Sequence, residues 1–214
     1  MSYCPITHVE ECRCGDPMEK IGALAVDMRL GLRKLFTDHS VYTKMFIDNE
    51  IFKSGASKSI SERLMQNQDE IGSYLYPVIG KARGKQLAAL LKEHIQLAAN
   101  CVKALPAGKN QVKAAVDRLM ANSHEVSYFL HQLNPAKLPL EEITAEFDRH
   151  NEFVVAIAQK VFEKQFEEVI RLTDAYFNHM MMFSDMLFDA SSYIDRSVNE
   201  QRDFAKRVNM LLSS

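Results

Sequence analysis

Four histidines, His39, His94, His150 and His179, stand on apolar helical seams, and their spacing is regular. His39 precedes Asn67 by 28 residues, His94 precedes Asn122 by 28, and His150 precedes Asn178 by 28, with His179 one position further on. Neutral imidazoles from several facing helices are good ligands for zinc, iron or copper. The same groups can instead form a hydrogen-bond network, because a polar group on a buried seam must find a partner or cost about 1–3 kcal/mol. Glu70, Glu125 and Asp185 are the acidic side chains expected beside the histidines, as ligands or as acceptors behind them, with Asp38, Glu93 and Asp148 also near. Two readings of the layer stay open: a metal site of His39, His94, His150 and His179, with zinc or iron as the metal, or a structural layer shared with Asn67 and Asn122 that specifies the bundle.

Other constellations carry less chemistry. Cys4, His8, Cys12 and Cys14 could supply four zinc ligands, but the Cys-x-Cys spacing is unusual for a zinc knuckle, so a tail with free thiols is the expectation. The run from His179 through Met180, Met181 and Met182 suggests copper, yet methionines crowded on a seam are expected as core packing. Neither a Gly-x-Ser-x-Gly elbow nor a Walker phosphate loop occurs, so the chain is not expected to be an enzyme.

The elements that must position these residues are all helices. On the first helix Met28, Leu32, Leu35, His39, Tyr42 and Phe46 recur at intervals of three and four, and the later segments repeat the pattern without strand alternation. Arg63 to Ile71 resembles Arg118 to Val126 at an offset of 55, and the segments ending in His39, His94 and His150 are alike at offsets of 55 and 56. The repeat unit is therefore a pair of helices. The midpoints of the 28-residue intervals are Lys53, Gly108 and Lys164, near the expected turns, and positions equidistant from a turn lie at one height. The expected fold is all-α: an antiparallel six- or seven-helix bundle of three hairpin repeats of about 55 residues, at 18–78, 83–133 and 140–190. A flexible tail at 1–17 and a C-terminal helix at 191–214 flank it. An open solenoid is the alternative arrangement.

The 214 residues carry a net charge of -2, too small to attract a polyanion, so no nucleic-acid partner is expected. No stretch approaches the roughly 18 apolar residues of a membrane span, and the N-terminus has no secretory core, so an intracellular, membrane-free protein is expected. A protein partner or a homo-oligomer remains open.

The segments Leu32 to His39, Arg63 to Gly72 and Leu90 to His94, with Ala121-Asn122, Asn134-Pro135 and His179 to Leu187, resemble an uncharacterised family of small bacterial helical-bundle proteins with relatives in large DNA viruses of amoebae. The resemblance spans about Leu32 to Asp189. It implies a bundle of unassigned activity with a structural or interaction role, and packaging in a virion as one setting. The acidic-His pairs Asp38-His39 and Glu93-His94 fit it, whereas Arg149-His150 and Asn178-His179 depart from it. The functional alternative is a bundle that binds a metal or another small ligand through its His/Asn layer.

Overall fold

A computed structural model describes the backbone of residues 17–191 and the side chains of residues 25–191. The cysteine-bearing tail and the expected C-terminal helix lie outside the described residues. Within them are seven helices and no strand: α1 Pro17–Phe52, α2 Ser57–Tyr74, α3 Tyr76–Ile79, α4 Lys81–Ala104, α5 Lys109–Leu133, α6 Leu140–Phe162 and α7 Phe166–Ala190, with a 3-10 turn at Leu105–Ala107. The junction between the first two expected repeats, at 78–83, holds the single turn α3 and the start of α4. Gly80 makes that junction at φ 83°, a conformation that a side chain would penalise.

The turns fall where equal helical rise demands. Lys53 (φ 58°), Gly108 (φ 98°) and Lys164 (φ 59°) all occupy the left-handed region, and they are the midpoints of the three His-to-Asn intervals. A residue in this conformation reverses the chain after a helix, and glycine does so without a steric cost. Asn49 braces the first turn: its Oδ1 accepts from the Ala56 backbone N–H at 2.9 Å, and its side chain also bonds Ser54 and Ser57.

Each long helix buries one stripe. Among the described side chains of α1 the buried positions are Met28, Leu32, Phe36, His39, Ser40, Thr43, Phe46, Ile47 and Asn49, a three-four rhythm that keeps one face inward. The helices follow one another around a ring: α1 touches α2, α2 touches α4, α4 touches α5, α5 touches α6, α6 touches α7 and α7 touches α1. Contact between the first and last helices closes the ring, so the open solenoid does not form. In addition α1, α4 and α6 meet one another across the middle, which places them innermost. Small residues let α2 and α4 approach closely. A Cβ added at Gly72 would collide with the Gly84 carbonyl oxygen, and one added at Gly84 would meet both the Gly72 carbonyl and the Tyr76 ring.

On the α1/α7 side the contacts step in register. Arg29 meets Asp189 at 3.0 Å, Arg33 Nε donates to Asp185 at 2.9 Å, Thr37 reaches Met181, and Phe52 meets Phe166 with ring centres 6.4 Å apart. Each pair sums to the same residue number, as two helices running in opposite directions require.

Candidate functional site

The inner helices carry the histidines to one place. His39 comes from α1, His94 from α4 and His150 from α6, while His179 comes from α7, and all four are buried. The ring of His150 is central. Its centre is 5.7 Å from that of His39, 5.7 Å from that of His94 and 6.3 Å from that of His179. Tyr176 lies 5.5 Å from the same ring, and Phe147 meets His94 edge-on at 6.0 Å.

Each imidazole is oriented through Nδ1, and each by a different partner. Gln68 Nε2 donates to His39 Nδ1 at 3.3 Å, which puts the His39 proton on Nε2, and the two amide hydrogens are shared among that nitrogen, the Leu64 carbonyl and Asn67 Oδ1. His94 Nδ1 donates to Asn122 Oδ1 at 3.1 Å, leaving an electron pair on Nε2. His150 Nδ1 lies 3.1 Å from Met180 Sδ, and His179 Nδ1 lies 3.3 Å from Glu146 Oε2. These tautomers follow from the hydrogen-bond network. Ser123 extends it, accepting from Asn151 Nδ2 at 2.7 Å and donating to the Leu119 carbonyl.

The network is incomplete. The buried nitrogens His94 Nε2, His179 Nε2 and Asn122 Nδ2 have no hydrogen-bond partner, nor does Asn151 Oδ1. Tyr176 also buries its hydroxyl without closing a hydrogen bond, although Ser40 and Thr43 of α1 face it. A cavity of about 30 Å³ opens at the centre, lined by His39, His94, His150, Gln68 and Met180 together with apolar side chains that include Phe147 and Phe183.

Burial keeps the cluster neutral. Loss of solvation, and secondarily the nearness of His94, pushes His39 down to about 3. Burial pushes His94 down to about 4 against the opposing effect of its hydrogen bond to Asn122. His150 is held well below its ordinary value by burial and then by His39, His94 and His179, and His179 is lowered by burial against the pull of Glu146. Cys101, elsewhere in the core, is raised to about 11 by burial and is therefore a poor nucleophile.

The acidic partners expected from sequence go elsewhere. Glu70 pairs with Arg63 at 3.1 Å, Asp185 is held by Arg33 and Arg29, and Glu125 is exposed. Asp38 pairs with Lys34 and Arg63, and Asp148 with the surface His124. The carboxylate that does reach the layer is Glu146, four residues before His150 on the same helix, and it serves His179. Gln68, Ser123 and His179 each stand 29 residues after a histidine, His39, His94 and His150 respectively, and that spacing could have singled out Gln68 and Ser123. Tyr176 had no such signal, since it reads as an ordinary seam residue, and Met180 lies in the run that suggests copper but was expected as core packing. Among the described residues, no group of three or more His, Cys, Asp or Glu side chains is disposed to hold a metal ion, and no helix is long and apolar enough to cross a membrane. No known family model, curated protein or solved structure matches this chain.

Proposed function

We propose that this protein is a small-guest-binding bundle, in which three helical hairpins of one repeated design hold at mid-height a small, mostly apolar cavity edged by histidines. The observation that carries the reading is His94 Nε2, a nitrogen with a free electron pair, deeply buried and without a partner, on a side chain that lines the cavity. A layer that served only to set register would gain by satisfying that atom, since leaving it unpaired costs about 1–3 kcal/mol. A cavity of about 30 Å³ admits a water-sized group or a single ion. The three left-handed turns midway between the paired positions support the repeated design.

Native mass spectrometry of the full, untagged chain tests this directly. A stoichiometric mass above that of the chain, lost on denaturation and absent from His94→Gln, is expected. A bare chain mass in both proteins would overturn the reading.

A structural or interaction role is the second reading, favoured by one separate feature. Phe52 and Phe166 meet at a tilt across α1 and α7 yet are 51% and 52% exposed, and Ile170, one turn along α7, is 64% exposed. An apolar patch of this kind suits a protein partner or a second copy. Sedimentation of the native chain and of Phe166→Glu separates the cases: equal monomer masses for both, with no partner retained, would count against it.

A further inference from the structure

We propose that a cleft between α2 and α4, away from the histidines, binds a short-chain monocarboxylate, with Lys103 holding the carboxylate at its mouth. The cleft measures about 190 Å³ and shares no lining residue with the central cavity, so it is a second site, independent of the guest-binding reading. The helices themselves create the space. α2 and α4 touch backbone to backbone where Gly72 faces Gly84 and Ala88, and one turn on Lys92 of α4 pairs with Asp69 of α2. Beyond that pair, Met65 and Ser61 on α2 and Gln96 and Asn100 on α4 become the two walls of the cleft. Ala98 and Ala99 line it from α4 and are only half-buried, and a methyl group leaves unfilled the volume that a leucine would take. Buried apolar side chains of α1 and α6, Phe46, Ile47 and Val154, form the floor.

The lining selects among ligands. An apolar cavity of about 150 Å³ accepts a benzene-sized guest, so this cleft takes an apolar body of about six carbons. Its polar groups stand at the rim and reach solvent, unlike the enclosed nitrogens of the histidine layer. Gln96, Asn100 and Lys103 are exposed and, being four and three residues apart, follow one edge of α4. Among the described residues Lys103 is the only charged side chain in the lining, and no carboxylate opposes it there. A single ammonium at the end of an apolar slot matches a single negative charge at the end of an apolar chain, and the Asn100 and Gln96 amides supply N–H donors for the same oxygens. A doubly charged head group such as a phosphate monoester would leave one charge unmatched. A cationic guest would be repelled, and a neutral one would gain nothing from the ammonium.

The test titrates hexanoate and its neutral counterpart hexanol into the full chain, with the methionine methyl groups followed by nuclear magnetic resonance. A saturable shift is expected at Met65, which lines the cleft, with Met180 of the central cavity unmoved. Hexanoate should bind about three- to fivefold more tightly than hexanol, the size of effect that one partly exposed charge supports. Lys103→Gln, a substitution at an exposed position, should bring hexanoate down to the affinity of hexanol and leave hexanol unchanged. Ala99→Leu should abolish binding of both and raise the thermal midpoint, because the leucine fills the cleft. No saturable shift at Met65, equal affinity for the acid and the alcohol, or undiminished hexanoate binding in either variant would overturn the proposal. Shifts at Met180 in place of Met65 would also overturn it, while lending support to a guest in the central cavity. A bare chain in native mass spectrometry together with the expected Met65 shifts would bring down the guest reading alone and leave this site standing.

Discussion

At the scale of single residues, the buried histidines make stability depend on pH in a direction fixed by their environment. In the metal-free protein His39 and His94 have folded values near 3 and 4, below the unfolded value of about 6.5. The unfolded chain therefore binds protons first, and stability is full above about pH 6.5 and is lost as pH falls towards the folded values. Between pH 7.5 and 5.5 a single such histidine accounts for about 1.4 kcal/mol of lost stability. His94→Gln should accordingly lose about 1.4 kcal/mol less than the native chain over that interval, measured from denaturant midpoints with chelator present. Equal losses in the two proteins would mean that His94 is protonated in the folded state. Tyr176, whose hydroxyl is raised by burial, stays neutral across the same range and adds nothing to this slope.

At the scale of elements, the turns carry strain that two substitutions should relieve. Lys53 and Lys164 adopt left-handed φ values of 58° and 59°, which cost a side-chain-bearing residue about 1 kcal/mol, whereas Gly108, at φ 98° and ψ 176°, occupies a region that glycine alone enters freely. Lys53→Gly and Lys164→Gly should each raise stability by about 0.5 kcal/mol, the remainder being offset by the greater freedom of glycine in the unfolded chain. Gly108→Ala should lower it by about 1 kcal/mol, and thermal melts of the three variants would reveal a wrong sign at once. The α2–α4 crossing makes the opposite demand. Gly72→Ala puts a methyl group against the Gly84 carbonyl and should cost about 1–3 kcal/mol, because helix backbones so close cannot part without disturbing Ile71 and Leu87 beside them.

At the scale of the whole molecule, ring closure couples the hairpins. α1 contacts both α2 and α7, and α1, α4 and α6 share the centre, so removing one hairpin would expose the buried faces of the others. Unfolding in urea should therefore be a single transition, with far-ultraviolet circular dichroism and tyrosine fluorescence coincident. Two separated midpoints would show that the hairpins are stable on their own, as stacked repeats can be. The arginine-carboxylate pairs across α1 and α7 help set the register of that closure but contribute little energy, being partly exposed and screened by salt.

Helix content, the inward direction of His39, His94, His150 and His179 and the positions of the turns were all legible in the sequence. These properties are local: a three-four apolar rhythm decides which side of a helix is buried, and equal rise on either side of a turn decides which residues share a height. What each histidine meets was decided by the tertiary structure alone. Spacing along one helix says nothing about the rotation of its neighbours, so the competition for partners could not be read from it. Arg63 and Arg33 drew Glu70 and Asp185 to the surface, because a carboxylate is stabilised more by a guanidinium near water than by a neutral imidazole in the core. The vacated interior was filled by Met180, Gln68 and Ser123, which are neutral and can be buried at little cost. The result is a small cavity without an anion, walled mostly by apolar side chains with His39, His94 and His150 among them, and that absence of charge is what limits the guest it can hold.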